Sequence, residues 1–201
     1  TLLPRGAFDV SMAWSVPDCT NRSYEWSWET EVRCTQFHAS APVYDIVFGF
    51  YSVPESKYAG ATSFDDLHGA TICRMEGWPL HDLEQEGLLR DDTMTVVQPA
   101  TARECLDAVI TGTADIATFE LQLFADAMSE MGLNANDLVE NPYVSTLSSL
   151  RFITHRSNPQ GQRYLALMNK GLNEMRETGE WYAIISDSLN EHNERLLDAI
   201  N

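Results

Sequence analysis

The sequence predicts an α/β fold, and three features of the chain carry that prediction. Short apolar segments alternate with amphipathic ones over residues 70–120, as in parallel sheets whose strands are joined by right-handed helical crossovers. Residues 44–53 form a continuous apolar and aromatic run, which is typical of a strand buried on both faces. Two amphipathic helices, over residues 158–178 and 180–197 with Gly179 between them, are predicted at the end of the chain.

The first part of the chain is less regular. Residues 7–14 are predicted to form a buried strand whose inward side chains alternate with polar ones, namely Phe8, Val10 and Met12. Residues 15–37 show no sustained periodicity and contain several turn residues, so an inserted hairpin or loop is expected there. Trp26 and Trp28 would share a face if that segment is extended, and we expect them to shield the local core.

The alternating region supplies most of the predicted sheet. Strands are expected over residues 70–75 and 94–97, with a helix over residues 79–89 between them. A further helix is expected over residues 121–131 and a further strand over residues 150–154. This order of elements indicates a sheet covered by helices.

The segment that begins at Thr101 is the centre of this pattern. Thr101 and Glu104 form a Thr-x-x-Glu capping box, which places the start of a helix directly after the threonine, and Gly112 ends that helix. A short strand is predicted over residues 114–118, and Glu120 follows its carboxyl end. Because ligands of open α/β sheets bind at the carboxyl ends of strands, Glu120 is a candidate ligand-binding carboxylate; a solvated surface glutamate is the alternative.

The chain is acidic, with 13 basic and 30 acidic residues and a formal net charge of −17. Such a surface repels phosphate backbones and anionic lipids, so neither nucleic acid nor a membrane is an expected partner. Hydrophobic residues make up 44% of the chain, yet no apolar run approaches the roughly 20 residues that span a bilayer. Since no signal peptide is present and the chain begins with Thr1, we expect a processed or trimmed chain.

Four motifs occur in order along the chain. They are residues 6–10 (GAFDV) followed by Arg22, residues 40–44 (SAPVY), residues 66–69 (DLHG), and the helix, glycine, strand and acidic residue that end at Glu120. Together they resemble extracellular solute-binding protein family 3, whose members deliver polar amino acids to ABC importers. In that resemblance the first motif is the "G-x-x-D-V" strand with a ligand-binding arginine after it, the second enters the strand that crosses between lobes, the third opens the second lobe, and the fourth is the second-lobe signature.

The resemblance implies a two-lobed, type 2 periplasmic-binding-protein-like fold with two crossing strands. Residues 1–53 and 150–201 would form the first lobe, with the C-terminal helices returned to it, and residues 54–149 the second. Family members begin with a strand, a hairpin and helices ahead of the "G-x-x-D-V" strand, so the first lobe is expected to be incomplete here. A separate N-terminal fragment is one possible partner that would complete it.

The resemblance also implies a ligand site between the lobes. Arg22 would hold a carboxylate in bidentate fashion, and Glu120 would hold an ammonium group. Gly77 stands at a strand-to-helix junction, where backbone amides favour an anion, but Trp78 and Pro79 replace the family's hydroxyl residues and proline has no amide. This departure argues against an ordinary α-amino acid, and Trp78 is instead suited to a ring or a cation.

Eight residues are therefore predicted to contact the ligand. They are Trp14, Ser15, Arg22, Arg74, Glu76, Gly77, Trp78 and Glu120. The alternative for Arg74 and Glu76 is an ion pair with each other, and the alternative for Trp78 is a lid or surface aromatic residue. No cofactor is expected. No metal is expected either, since no cysteine spacing indicates a zinc site: no Cys-x-x-Cys is present and the histidines are scattered.

Four cysteines allow three pairings or none. A disulfide between Cys19 and Cys34 would close the irregular loop, and a second between Cys73 and Cys105 would join a strand to a helix of the same lobe. Disulfides suit an exported protein, while four buried free thiols remain the alternative.

The function implied is that of a periplasmic solute-binding protein. It would capture a small polar ligand, an amino acid or a related amine, and deliver it to the membrane subunits of an ABC importer. One alternative is an accessory protein that keeps the fold and docks another periplasmic protein. An enzyme is not expected, since no nucleophile elbow, phosphate loop or His-Glu-x-x-His helix occurs; a dehydratase-like activity is the least favoured alternative.

Overall fold

A computed structural model describes residues 2–21, 23–90 and 93–200, with the side chains of 198–200 left aside. The chain forms two compact units. Unit 1 comprises Thr1–Ile46 and Ser148–Arg195, and unit 2 comprises Val47–Leu147 and Leu196–Asn201. The division thus falls after residues 46, 147 and 195, whereas the predicted lobes divide after residues 53 and 149 and keep the end of the chain in the first lobe.

The fold is mixed α/β, with strands and helices alternating through unit 2. In chain order the elements are β1 (Ser11–Ser15), α1 (Trp28–Gln36), β2 (Phe37–Ala39), β3 (Tyr44–Ser52), β4 (Thr71–Cys73), α2 (His81–Gln85), β5 (Thr95–Val97), α3 (Ala102–Ile110), β6 (Ile116–Glu120), α4 (Leu121–Met131), β7 (Val139–His155), α5 (Gly161–Thr178) and α6 (Glu180–Ile200). Strands β3 and β7 each carry the chain from one unit to the other.

Unit 1 contains two short strands that pair antiparallel with the second half of β7. The expectation of a buried strand over residues 7–14 is wrong, because pairing starts only at Ser11 and the side chains of Phe8 and Met12 are 57% and 68% exposed. A bulge interrupts β1 between Ser11 and Trp14, with Ala13 at a positive φ of 60°, so the alternation of inward and outward side chains is broken there.

Residues 15–37 of unit 1 contain a helix, so the expectation of an inserted hairpin or loop there holds only for the part that precedes Trp28. The Ser27 side chain caps α1 by accepting a hydrogen bond from the Thr30 backbone N–H at 3.3 Å. Trp28 begins the helix and is 80% exposed, so it does not shield a core. Its neighbour Trp26 is partly buried and donates its indole N–H to the Asn21 carbonyl at 3.0 Å.

The sheet of unit 2 follows the predicted pattern with shorter elements. Strand β4 runs parallel to both β5 and β6, and β3 pairs antiparallel with β6. Helix α2 has only five residues, far fewer than the helix predicted over residues 79–89. The predicted capping box is present, since Thr101 and Glu104 bond each other's backbone N–H at 3.0 and 3.2 Å.

Two apolar clusters cover opposite faces of this sheet. One is built around Phe50, Ile72 and Ile116, whose side chains lie on the face towards α2. The other is built around Cys73, Ala117 and the buried residues of α3 and α4. The side chains of successive residues in β4 and β6 therefore pack into different clusters, because side chains alternate between the two faces of a strand.

The C-terminal helices begin and end close to the predicted positions, with Gly179 between them at a φ of 81°. Helix α5 buries Leu165 and Leu172 as expected. Helix α6 differs from the expectation of core packing, because among its described side chains none is buried. Trp181 fixes its first turn through an indole N–H bond of 2.9 Å to the Val43 carbonyl.

Both predicted disulfides are present. Cys19 and Cys34 are joined within unit 1 with a Cα–Cα distance of 5.4 Å, and Cys73 and Cys105 within unit 2 with 5.6 Å. No helix in the described part of the chain is both long and apolar enough to cross a bilayer.

Candidate ligand site

The candidate site of unit 2 lies where β4 and β6 end. The two strands are parallel, with Ile72 opposite Ile116 and Cys73 opposite Ala117, so their carboxyl ends meet at the same edge of the sheet. Arg74 directly follows β4, and Glu120 is the last residue of β6. The prediction that Glu120 stands at a strand's carboxyl end is therefore confirmed.

Arg74 is the most enclosed charged residue of this edge, with 1% of its surface exposed. Its Nε donates to the Thr118 hydroxyl at 2.8 Å, and its Nη1 donates to the Pro79 carbonyl at 2.9 Å and to the Asp82 carboxylate at 2.5 Å. Its partner is thus Asp82, and the alternative of an ion pair with Glu76 is wrong, since Glu76 is exposed.

Asp82 is held as a carboxylate in this enclosed position. Burial alone would raise its pKa, but the Arg74 charge and the hydrogen bonds from Arg74 and Thr146 outweigh that effect and lower the pKa below its usual value. The Thr146 hydroxyl donates to the second carboxylate oxygen at 2.5 Å. The guanidinium and the carboxylate neutralise each other inside unit 2, where each stabilises the other's charge.

An aromatic pair stands beside the buried ion pair. The Arg74 guanidinium lies over the Phe48 ring, with its central carbon 4.2 Å from the ring centroid. The Trp78 ring meets the Phe48 ring edge to face, with centroids 5.5 Å apart and planes at 89°. Phe48 is fully buried and Trp78 is half-buried, so the tryptophan is the partner that still presents ring surface.

The segment from Gly77 to Pro79 is a turn. Gly77 has a φ of 82°, a conformation that suits glycine, and the Trp78 N–H is bonded to the Met75 carbonyl at 3.2 Å. The expectation of anion-binding amides at a helix N-terminus is wrong here, because α2 starts only at His81 and the Trp78 amide already has a partner.

Glu120 has a structural role in addition to its place at the strand end. Its carboxylate caps α4 by accepting the backbone N–H groups of Gln122 and Leu123 at 3.1 and 3.0 Å. In the β3–β6 pairing Glu120 is directly opposite Phe48, so both side chains emerge on the same face of the sheet. Burial, followed by the charges of Glu140 and Glu120, raises the pKa of Tyr51.

The predicted site residues of unit 1 are engaged in its own packing. Trp14 stacks on Phe37 with centroids 5.9 Å apart, and the Arg33 guanidinium lies 5.1 Å from the Trp14 ring. Ser15 is buried, and its hydroxyl is hydrogen-bonded to that of Ser148. Arg22, the predicted partner of a ligand carboxylate, lies outside the described residues.

Sequence reasoning missed the residues that surround the Arg74 guanidinium and its partner, namely Phe48, Asp82, Thr118 and Thr146. Phe48 carried a partial signal, since it falls in the apolar run of β3. Asp82 and Thr118 carried none, because the contacts with Arg74 span eight and 44 positions of the chain.

No family model and no curated protein matches the sequence. Solved structures do match. A histidine kinase sensor domain with similarity to periplasmic binding proteins is 19% identical, with a TM-score of 0.64 over 92% of this chain and 72% of its own. An arginine transport system periplasmic binding protein from Legionella pneumophila is 16% identical, with a TM-score of 0.64 over 92% of this chain and 75% of its own.

A third structure extends the likeness. An amino acid ABC transporter substrate-binding protein from Streptococcus pneumoniae, bound to L-arginine, is 15% identical, with a TM-score of 0.59 over 95% of this chain and 72% of its own. At such identities the likeness shows the fold, and the prediction of a type 2 periplasmic-binding-protein-like fold is confirmed. The structural neighbours of this chain include substrate-binding proteins of amino-acid ABC transporters.

Proposed function

We propose that this protein is an exported solute-binding protein that captures a small polar ligand carrying an amine. The observation that supports the proposal is that Glu120 lies opposite Phe48 in the β3–β6 pairing, while the Trp78 ring packs against Phe48 at the same carboxyl edge of the unit 2 sheet. A carboxylate beside ring surface is suited to an ammonium or guanidinium group. Glu120 accepts two backbone N–H groups, yet a carboxylate has about four lone-pair sites and can accept more.

Delivery of the ligand to an ABC importer belongs to the same proposal. It is supported by the fold shared with substrate-binding proteins of such importers. Two disulfides suit a protein that works outside the reducing cytoplasm. The membrane subunits of an importer would then be the macromolecular partner.

A thermal-shift screen of amino acids, amines and small organic acids tests the proposal. A true ligand at a hundredfold excess over its Kd should stabilise the folded protein by about 2.7 kcal/mol. Calorimetry with the best compound should then show a loss of about 2–5 kcal/mol of binding free energy in Glu120→Ala. Glu130→Ala, which removes an exposed carboxylate from the same helix α4, is the matched control and should bind as the parent does.

A second candidate, an accessory protein that docks another exported protein, is favoured by the exposure of α6. Tyr182 and Ile184 are exposed on this helix. The screen separates the two candidates, because an accessory protein should be stabilised by no compound of the panel. In that case Tyr182→Ser with Ile184→Ser should weaken the docking contact while leaving the melting temperature of the protein alone.

A further inference from the structure

The unit 2 site has its positive charge already paired, and no ion pair of Glu76 or Glu120 is found among the described residues. We infer that it selects organic cations that lack a carboxylate, such as primary amines and guanidinium compounds, over zwitterionic amino acids. This inference rests on the proposed function and names the class of its ligand. Three observations carry it, and they concern Arg74, the backbone donors of the turn, and the acidic and aromatic groups.

The first observation is that the positive charge of Arg74 is already paired with a carboxylate of the protein. Its guanidinium is in contact with the Asp82 carboxylate at 2.5 Å, and both side chains are almost fully enclosed. A ligand carboxylate brought to this guanidinium would place a second negative charge next to Asp82 without a second cation to balance it. Since like charges in an enclosed site repel each other strongly, a zwitterion gains little from Arg74.

Arg74 does retain one unpaired nitrogen, Nη2, which carries two N–H groups. This atom is buried and has no hydrogen-bond partner among the described residues. A neutral acceptor, such as a hydroxyl or amide oxygen, can bond one of these N–H groups without adding charge beside Asp82. The spare donors of Nη2 therefore fit a neutral oxygen of a ligand better than they fit a carboxylate.

The second observation is that the backbone N–H groups on either side of Gly77 are engaged, and that Pro79 supplies none. The Glu76 N–H is bonded to the Pro99 carbonyl at 2.8 Å, and the Trp78 N–H to the Met75 carbonyl at 3.2 Å. Pro79 has no N–H at all. A carboxylate therefore finds few donors in this turn to replace the water that it would lose on binding.

The third observation is that the remaining groups attract cations. Glu120 lies at the strand end with Phe48 opposite, and Glu76 is exposed two residues before Trp78. The half-buried Trp78 ring offers the face of an aromatic system, which attracts ammonium and guanidinium groups. The formal net charge of −17 adds to this preference, because it raises the concentration of cations at the protein surface.

Calorimetry with matched pairs of compounds tests the inference on the intact protein. Agmatine is L-arginine without its carboxylate, and cadaverine is L-lysine without its carboxylate, so each pair differs in that group alone. We expect agmatine and cadaverine to bind at least tenfold more tightly than L-arginine and L-lysine at the same ionic strength. Tighter binding of the amino acid in either pair would overturn the inference.

Variants show whether the named residues carry the preference. Glu120→Gln and Trp78→Ala should each weaken agmatine binding by tenfold or more, whereas Trp78→Phe, which keeps a ring, should weaken it only a few-fold. Glu130→Gln on the same helix α4 should bind agmatine as the parent does. Unchanged agmatine binding in both Glu120→Gln and Trp78→Ala, with melting temperatures near that of the parent, would place the site elsewhere and overturn the inference.

The two proposals fail in distinguishable ways. If an amino acid outside these pairs binds tightly and the amines do not, the inferred selectivity is wrong and the solute-binding function stands. If no compound of the screen binds, the solute-binding proposal itself is wrong, and the cation selectivity is overturned with it.

Discussion

The two units of this protein are built with very different amounts of core. Unit 2 packs two large apolar clusters against opposite faces of its sheet, and even its principal ion pair is enclosed. In unit 1 the described cluster is centred on Leu3, Phe37 and Ile153. Both units leave some large apolar side chains at the surface, and those of unit 1 include Leu2, Phe8, Met12, Trp28 and Leu167.

The disulfides follow the same difference. Cys73 and Cys105 are both 0% exposed, so their bond lies within a core that already holds β4 against α3. Cys19 is only partly buried, and its bond to Cys34 fastens the loop that precedes α1. Burial of apolar surface is the main source of stability in unit 2. In unit 1 the disulfide contributes a larger fraction of the stability.

The largest expected effect comes from opening the enclosed ion pair of unit 2. Asp82→Ala should lower the free energy of unfolding by about 3–5 kcal/mol, because it leaves the Arg74 charge buried without its partner. Urea denaturation measures this loss. Asp107→Ala, on the exposed side of α3, is the control and should stay within about 0.5 kcal/mol of the parent.

The pH dependence of a second variant at this position, Asp82→Asn, sharpens the comparison. Since the pKa of Asp82 is lower in the folded state than its ordinary value of 3.8, the carboxylate contributes stability above pH 3.8. That contribution declines as the pH falls below 3.8 and through the folded-state pKa. The difference in melting temperature between parent and Asp82→Asn should therefore be constant near neutral pH and should shrink in acid. A difference that grows in acid would contradict this assignment.

Removing the disulfides should have the next largest effect. Loops of 32 and 15 residues correspond to about 3.7 and 3 kcal/mol in the chain-entropy model for Cys73–Cys105 and Cys19–Cys34, respectively. Replacing each pair by alanine and measuring urea unfolding checks these values.

Exposure predicts the order of reduction. Under native conditions dithiothreitol should open Cys19–Cys34 before Cys73–Cys105, because reductant reaches a partly exposed sulfur first. Mass spectrometry after thiol alkylation at successive times gives that order. Earlier alkylation of Cys73 or Cys105 would show that unit 2 opens more readily than its packing indicates.

Removing one helix-capping side chain in each unit should have a smaller effect on the free energy of unfolding. Thr101→Ala on α3 and Ser27→Ala on α1 each remove a side-chain acceptor for a backbone N–H, which costs about 1 kcal/mol. Thr101 additionally bonds the Glu104 carboxylate, so we expect the loss at α3 to be the greater of the two. Thermal unfolding of both variants and of the parent measures the two losses of stability. A greater loss in Ser27→Ala than in Thr101→Ala would contradict the expectation.

The smallest effect is expected from exposed apolar residues of unit 1. Trp28→Ser and Leu167→Ser should change the free energy of unfolding by no more than about 0.5 kcal/mol, since neither side chain is in a core. Leu106→Ala on α3 is the contrasting change in unit 2, where a fully buried leucine should cost about 2–5 kcal/mol. Similar losses at Leu167 and Leu106 would remove the distinction between the units.

Local signals in the sequence determined much of unit 2. The capping box at Thr101, the left-handed Gly112 and Gly132, and the apolar repeats of the strands act over a few residues, so they can be recognised without knowledge of the fold. The position of Glu120 at a strand end follows from them. Both cysteine pairings were also predictable. Cys19 and Cys34 close one irregular loop, and Cys73 and Cys105 join a strand to a helix of the same predicted lobe.

Only the tertiary structure decided the partners and the exposure of the site residues. Arg74 pairs with Asp82 rather than with Glu76, because β4 delivers its side chain to the enclosed face of the sheet while Glu76 falls in an exposed turn. Tertiary contacts also decided unit 1. The bulge at Ala13 breaks the alternation of inward and outward side chains expected for residues 7–14, and α1 starts at Trp28, where a hairpin or loop was expected. Burial and charge pairing depend on contacts between residues that are distant in the chain. The hydrophobic periodicity of the sequence does not indicate which of these residues come into contact.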